Sequence, residues 1–482
     1  MINITEKKLS LSILKFGGSC LQDGQSFTQT TEIIKNYLEK SKLIIVASAM
    51  KGITDELINF YIQSCNENLE NATSLNNINK IHSRLIGQLF NSGSIEYEES
   101  MIFLRKNFDE LTQLGQVIHL IRPSINIQDL VISYGEKLST FILAQYLNSI
   151  RVKSKYISSG EIIITDDNFG SAMPILEDTE ILVREKLEPI LNSKENLIIC
   201  VTGFFGLTKK DKKTTTFGRG GTDLSASIIA YSLRNSFDCK VIYWKDVKGF
   251  LNADPKVSEK TSLLKQISYV EAKELAFFGS KVLHPLCLAV SEKGKIPSEI
   301  RAFNDPFSNE YTTITKDIVI KDNLIKAITS IYKLSMVTIE GDTMIPLPGT
   351  ASKLFSLLGD NKVSIIFISQ SSSENNITFG IDFEDSKKVS FLLRESEWFG
   401  KSWFRIKINN EISLVAIIGA GILHAPGIAG KVFTTLGKNN INILAMAQGS
   451  SELNFTAIIE RKNCKKAINI LYDAFITEGK KN

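Results

Sequence analysis

The chain has 482 residues, 43% hydrophobic and 22% charged, with a formal net charge of +4. That length exceeds one ordinary core and fits about three domains. The small charge, with Lys and Arg scattered, excludes a nucleic-acid footprint; the longest apolar run, Ile412 to Leu423, is about 12 residues where a membrane span needs about 20.

At the N-terminus Lys7 and Lys8 precede a short apolar strand that turns directly into glycines, which is not the layout of a signal peptide. Leu11 to Leu14 form the strand; Lys15, Gly17, Gly18 and Ser19 follow. The pattern suits a phosphate-cradling turn with a lysine as point charge, or simply a strand-to-helix turn with an exposed lysine. It is not a GxxxxGK[ST] loop. Leu43 to Ser48 reads as a buried strand, and about 66–126 as an inserted helical subdomain with Asn-rich turns. Leu197–Thr202 and Val241–Trp244 are further apolar runs. Runs of this length suit strands covered on both faces, hence a mainly parallel sheet between helix layers.

Lys209-Lys210-Asp211-Lys212-Lys213 reads as a solvated hairpin tip, or as an electrostatic guide for a phosphate donor. After it, Thr214 to Asp223 contains Gly218-Arg219-Gly220-Gly221, and an apolar helix begins near Leu224. The glycines permit a sharp turn, Thr222 or Asp223 can cap the helix, and its free N–H groups can meet an anion. Arg219 can fork onto a carboxylate or phosphate. A small zwitterion held beside a phosphate donor needs this equipment. His284, in Val-Leu-His-Pro, reads as structural. The six cysteines (Cys20, Cys65, Cys200, Cys239, Cys287, Cys464) show no CxxC or metal spacing, which fits a reduced, cytoplasmic setting.

The last third repeats itself at an offset of about 78 residues: Gln370-Ser371-Ser372-Ser373-Glu374 parallels Gln448-Gly449-Ser450-Ser451-Glu452. Each copy follows a Pro-Gly helix start, Pro348-Gly349 and Pro426-Gly427, and reads strand–helix–strand–hairpin–strand–helix, a ferredoxin-like sandwich. Gly419-Ala420-Gly421 looks like the start of a dinucleotide fingerprint, but His424 stands at the third glycine position. The repeat explains it better, as a strand-to-helix loop, and the roughly 20 residues beyond the last repeat strand leave no room for a dehydrogenase domain.

The two glycine turns, Tyr134-Gly135-Glu136-Lys137 between them, Trp244 to Lys256, and Phe278-Gly279-Ser280-Lys281-Val282-Leu283-His284-Pro285 occur in one order. Together they resemble the aspartokinase family within the amino-acid kinase superfamily, most of all the kinase half of the fused aspartokinase–homoserine dehydrogenases. The resemblance covers nearly the whole chain. It implies an α/β amino-acid kinase domain at 9–315, with the repeats as tandem ACT units at 326–408 and 409–478. The implied reaction is phosphorylation of L-aspartate by ATP with Mg2+. Lys15, Arg219 and Asp223 are then catalytic. Gly17, Gly18, Ser19, Thr54, Glu136, Arg219, Gly221, Thr222 and Asp223 bind substrate. Lys15, Gly18, Lys245, Asp246, Leu251, Lys256, Lys281 and Val282 serve the nucleotide. Gln370 and Gln448 match positions linked to threonine sensing, and a homodimer or larger homo-oligomer forms through the ACT units. The family typically has Thr where Lys245 stands, an aromatic at Leu251 and Arg at Lys256, and Lys248 is also unusual; these departures touch the nucleotide contacts. A glutamate or acetylglutamate kinase, or a non-catalytic ACT sensor, are the competing readings.

Overall fold

The computed structural model describes residues 8–66, 73–121, 123–258, 260–280, 282–317, 324–341, 349–370, 376–400, 403–423, 425–447 and 453–477. They fall into two compact units. The first takes the described residues of 1–250, 265–273 and 281–317; the second takes those of 251–264, 274–280 and 318–482.

The first unit contains β1 (Ser10–Phe16), β2 (Lys42–Ala47), β3 (Ser154–Ile157), β4 (Ile164–Thr165), β5 (Ile198–Thr202), β6 (Phe205–Thr208), β7 (Thr214–Thr216), β8 (Asp238–Lys245), β9 (Gln266–Ser268), β10 (Ser298–Ala302) and β11 (Thr312–Thr315). Its main sheet runs β3-β5-β2-β1-β8-β10-β11-β9, and only β10–β11 is antiparallel. Leu11 to Phe16 and Ile198 to Thr202 are buried throughout, as expected of strands covered on both faces. In register, Lys15 lies opposite Val46 on one side and Tyr243 on the other. The C-terminal ends of β2, β1 and β8 therefore sit side by side. In open α/β sheets that edge is where ligands bind.

The helices are α1 (Gly24–Leu38), α2 (Ile53–Asn66), α3 (Thr73–Leu89), α4 (Ile95–Leu120), α5 (Ile125–Ile132), α6 (Tyr134–Ser149), α7 (Leu176–Leu191), α8 (Gly221–Leu233), α9 (Tyr269–Phe277) and α10 (Pro285–Gly294). Those between β2 and β3 extend beyond the 66–126 expected from composition, from Ile53 to Ser149. In α4, Ser94 accepts from the Tyr97 N–H at 3.2 Å, and Glu96 and Glu98 occupy the positive first turn. Ser100, Leu104, Asn107, Leu111, Gly115 and Ile118 form its buried stripe at helical spacing. His82 is buried in α3; burial pushes its pKa down to about 4, and its Nδ1 meets the Ile78 carbonyl, so it is a core residue.

The second unit has β12 (Ala327–Gly341), β13 (Ile365–Gln370), β14 (Asn376–Asp382), β15 (Phe404–Ile418), β16 (Ile443–Ala447) and β17 (Asn454–Glu460). Its helices are α11 (Thr350–Asp360), α12 (Ser386–Glu395), α13 (Ile428–Lys438) and α14 (Cys464–Tyr472). The sheet order is β13-β14-β12-β15-β17-β16. Two ferredoxin-like sandwiches share it, but they are interleaved rather than consecutive. β14 pairs with Leu334–Glu340 of β12, whereas Ala327–Ile331 pair with Leu414–Ile418, the half of β15 that pairs with β17. The cores divide likewise: Val337 and Ile339 pack with Leu354, Phe379 and Val389, while Ile328 packs with Val415, Val432 and Ile468. The division at 408 expected from sequence thus differs from the observed pairing, because each long strand serves both cores.

Two pieces of the 9–315 stretch also belong to this second unit. Ala253 enters the core around Ile328. Asn252 donates to the Tyr472 hydroxyl at 2.9 Å, and its carbonyl accepts from the Ile328 N–H. Thr329 donates to the Phe278 carbonyl at 3.0 Å. The Gly419-Ala420-Gly421 turn is explained by crowding: a Cβ at Gly419 would lie 2.4 Å from the Leu324 carbonyl oxygen, and one at Gly421 2.5 Å from the Leu324 Cα. Among the described residues no helix is long and apolar enough to cross a membrane, and the six cysteines are unpaired.

Ile328→Ala, at a site with 0% exposure, is expected to cost about 2–5 kcal/mol. Interleaving predicts that amide exchange then rises first in Ile412–Ile418 and β17, ahead of β13 and β14. Loss of protection in β13 and β14 first would refute the shared-strand arrangement.

Candidate active site

Lys15 and Lys245 stand near the C-terminal ends of neighbouring parallel strands, β1 and β8. Between them comes the first turn of α8, which starts at Gly221 after a left-handed Gly220 (φ 78°). Asp223 occupies that turn, where the helix dipole favours a negative charge. Its Oδ1 lies 2.7 Å from the Lys15 Nζ, and its Oδ2 accepts from the Lys245 Nζ at 2.6 Å. Lys15 is 5% exposed and Asp223 2%. Burial pushes Asp223 up, but the two ammonium groups outweigh it and hold the carboxyl below its ordinary value. Burial, helped by the charge of Lys245, lowers Lys15. For Lys245 burial also lowers, yet Asp223 prevails and its pKa is raised. One carboxylate thus shares two cations.

Glu136, in the first turn of α6, is the second buried acid, 2% exposed. Its Oε1 accepts from the Ala49 N–H at 3.0 Å, and its Oε2 has no hydrogen-bond partner among the described residues. Burial pushes its pKa up to about 8, against weaker pulls from the Ala49 N–H and Lys15. An empty acceptor on a desolvated carboxyl is suited to an incoming ammonium. α6 can approach so closely because residue 135 is glycine: a Cβ there would meet the Ala49 Cβ at 2.8 Å.

The Gly17-Gly18-Ser19 turn is half-buried between these groups. A Cβ on Gly17 would come within 3.2 Å of the Lys15 Nζ, and one on Gly18 within 3.0 Å of the Ala49 carbonyl. Cys20 donates to the Trp244 carbonyl at 3.5 Å, and burial pushes its thiol up to about 11, so it stays neutral. Thr222 donates to the Ser48 hydroxyl at 3.3 Å. Thr54 lies half-buried in the first turn of α2. Arg219 is exposed in its turn and makes no ion pair among the described residues. His284 caps α10, its Nδ1 accepting from the Leu286 N–H.

Lys15, Gly17, Gly18, Glu136, Thr222, Asp223 and Lys245 are therefore gathered at one edge of the sheet. Lys245, expected with the nucleotide, is paired with Asp223 in this structure. Asp246 is exposed beside it and Val282 half-buried, both in the first unit. Leu251 and Lys256 belong to the second unit. Lys281, Gln448, Ser371 to Glu374 and Pro348 lie outside the described residues. Gln370 ends the edge strand β13 and is exposed. Sequence reasoning passed over Ser48 and Ala49, which grip Glu136, Thr222 and Gly18; the available signal was the run of small residues directly after a buried strand.

A model of the amino acid kinase family matches residues 10–302, and one of the ACT domain matches 337–395 and 415–475. The bifunctional aspartokinase/homoserine dehydrogenase of Buchnera aphidicola subsp. Acyrthosiphon pisum is 30% identical over 98% of this chain and 57% of that protein. The chain spans about half the length of the bifunctional relatives it matches. Aspartokinase 3 of Arabidopsis thaliana, a chloroplastic protein, is 29% identical over 98% of this chain and 83% of its own length. The structure of Escherichia coli aspartokinase III in complex with aspartate and ADP superposes with a TM-score of 0.80 at 26% identity, over 96% of this chain and 99% of that one. A sheet of this topology, two glycine turns at its C-terminal edge and paired ACT sandwiches agree with these matches: the chain belongs to the amino acid kinase family, with C-terminal ACT domains, and resembles aspartokinases throughout.

Proposed function

We propose that the protein transfers the γ-phosphoryl group of ATP to the side-chain carboxylate of L-aspartate, giving 4-phospho-L-aspartate and ADP. This would open the route to lysine, threonine and methionine. The observation that carries the reading is the Lys15–Asp223–Lys245 cluster beside the buried Glu136. Phosphoryl transfer between two anions needs positive charge and alignment more than covalent help. An aspartate carboxylate oxygen bonds to the γ-phosphorus as the bond to the ADP oxygen breaks, and no proton has to move. Lys15, kept oriented by Asp223, meets the charge growing on the phosphoryl oxygens. Lys245 adds a second cation along the phosphates.

Glu136 takes the α-ammonium of aspartate, and Arg219 forks onto its α-carboxylate. Gly17, Gly18, Ser19, Thr54, Gly221 and Thr222 supply the remaining backbone and hydroxyl contacts. Asp246, Leu251, Lys256, Lys281 and Val282 serve the nucleotide. Among the described residues no three acidic, histidine or cysteine side chains gather, and both oxygens of Asp223 face lysines. Mg2+ therefore fits as a companion of the ATP phosphates, where it would supply neutralising charge.

The direct test is ADP release with aspartate, glutamate and N-acetylglutamate as acceptors. Aspartate should be preferred, and Lys15→Ala should lower kcat about 10²–10⁴-fold without unfolding the protein. Preference for another acceptor makes the protein a different carboxylate kinase; inertness with all three makes it an ACT-bearing sensor.

Glu136 sets a pH dependence. Its folded pKa of about 8 lies above the ordinary 4.5, so the free enzyme holds a proton there that an ammonium must displace. kcat/KM for aspartate should rise with pH and level off above about 8. Glu136→Gln should flatten that rise while weakening aspartate binding. The linked stability has the opposite sign: this group's contribution is complete below pH 4.5 and lost by about pH 8. A flat kcat/KM profile in the wild type would remove Glu136 from ammonium binding.

Regulation is assigned to threonine, held at Gln370 and its counterpart Gln448 across a homodimer of ACT units. A side-chain amide can donate to a carboxylate and accept from an ammonium. Such an effector inhibits only through unequal affinity for two conformations. Threonine should inhibit and lysine and methionine do so far less; Gln370→Ala should blunt the effect without lowering uninhibited turnover. Inhibition by lysine alone would overturn the assignment.

A further inference from the structure

Asp129 is a buried carboxylate outside the cluster described above. It sits in α5 with 1% exposure. Its Oδ1 accepts from the Thr216 hydroxyl at 2.7 Å; its Oδ2 accepts from the Thr216 N–H at 2.9 Å and the Gly170 N–H at 2.8 Å. The Thr216 carbonyl in turn accepts from the Ala172 N–H at 2.9 Å. Every polar group of Thr216 is thus engaged, at the last residue of β7. The chain then enters Gly218-Arg219-Gly220, with both glycines at positive φ. Gly218 also abuts Gly170: a Cβ there would lie 3.0 Å from the Gly170 carbonyl oxygen. Asp129 therefore holds both walls of the turn that carries Arg219.

A buried carboxylate is costly unless well bonded. Here burial raises the pKa of Asp129 and only hydrogen bonds oppose it, with no cation taking part. Three donors on two segments converge on it, and charge-assisted bonds of this kind fix geometry more firmly than neutral ones. The convergence points to alignment of the turn rather than to fold stability, for which an apolar residue in a helix would serve as well.

We propose that Asp129 is a positioning residue for the acceptor half of the site, setting the direction in which Arg219 leaves its turn. The inference rests on the reading that Arg219 binds the acceptor carboxylate. Asp129→Ala frees the turn, and Asp129→Asn is the conservative variant: its oxygen can still accept from the two N–H groups and its amide can donate to the Thr216 hydroxyl. Thr216→Val removes only the hydroxyl bond.

Steady-state kinetics are measured with the full chain, on aspartate or whichever acceptor the wild type prefers. Asp129→Ala is expected to raise the acceptor KM about tenfold while the ATP KM stays within about twofold, with Asn restoring most of the loss and Thr216→Val falling between. If Asp129→Ala does not fold, the Asn and Val variants carry the same split in smaller measure. An unchanged acceptor KM in folded variants, or equal rises in both KM values, overturns the proposal. A wild type inert towards every acceptor refutes the kinase reading itself, and the role of Asp129 falls with it.

Discussion

Two ammonium groups on one carboxylate, buried at the edge of a parallel sheet, are the constraint on which the rest depends. Lys15 and Lys245 can meet at Asp223 only because β1 and β8 run parallel in fixed register and α8 begins directly above them. Desolvating any one of these charges alone would cost several kcal/mol. Together they leave one surplus positive charge beside a helix N-terminus, in a setting where electrostatic attraction is far stronger than in water. Loss of Asp223 would leave two cations repelling one another, whereas loss of either lysine leaves an ion pair.

The same site drives its two carboxylates in opposite directions. Asp223 faces cations and stays ionised; at Glu136 burial outweighs the Ala49 N–H and the more weakly felt Lys15, and it holds its proton up to about pH 8. Environment, rather than residue type, separates their roles. The asymmetry would suit the proposed reaction, in which a zwitterion and a polyphosphate bind together without one ligand's counter-charge capturing the other.

Much of this was legible in the residues. Runs such as Leu43–Ser48 and Val241–Trp244 announce doubly covered strands, and Lys15, Glu136 and Asp223 stand out as charges set among glycines. The pairing of Lys245 with Asp223 was not legible, since nothing local shows that β8 lies beside β1. The helices run beyond 66–126, and that reach was hidden because α2, α5 and α6 are apolar enough to read as core. The interleaved sandwiches escaped because alternation along a long strand does not show where its partner changes; that change falls at the irregular pairing between Ile331 and Met336. Asp129 carried no motif, being a lone acid in an apolar helix.

The excursions of the chain into the second unit bear on how such a protein can be divided. Residues 251–264 leave the first unit partway through the segment after Trp244 and bury Ala253 among the apolar side chains around Ile328. A fragment ended near residue 317 would keep that excursion but lose its packing partners, leaving Ala253 in water and the carbonyl of Asn252 without the Ile328 N–H. Recombination that exchanged the ACT half by a single crossover would separate this excursion from the core it packs into. The linear border between the two halves is thus no seam for fusion or domain grafting, and a new C-terminal half must bring a matching stretch of residues 251–264 with it.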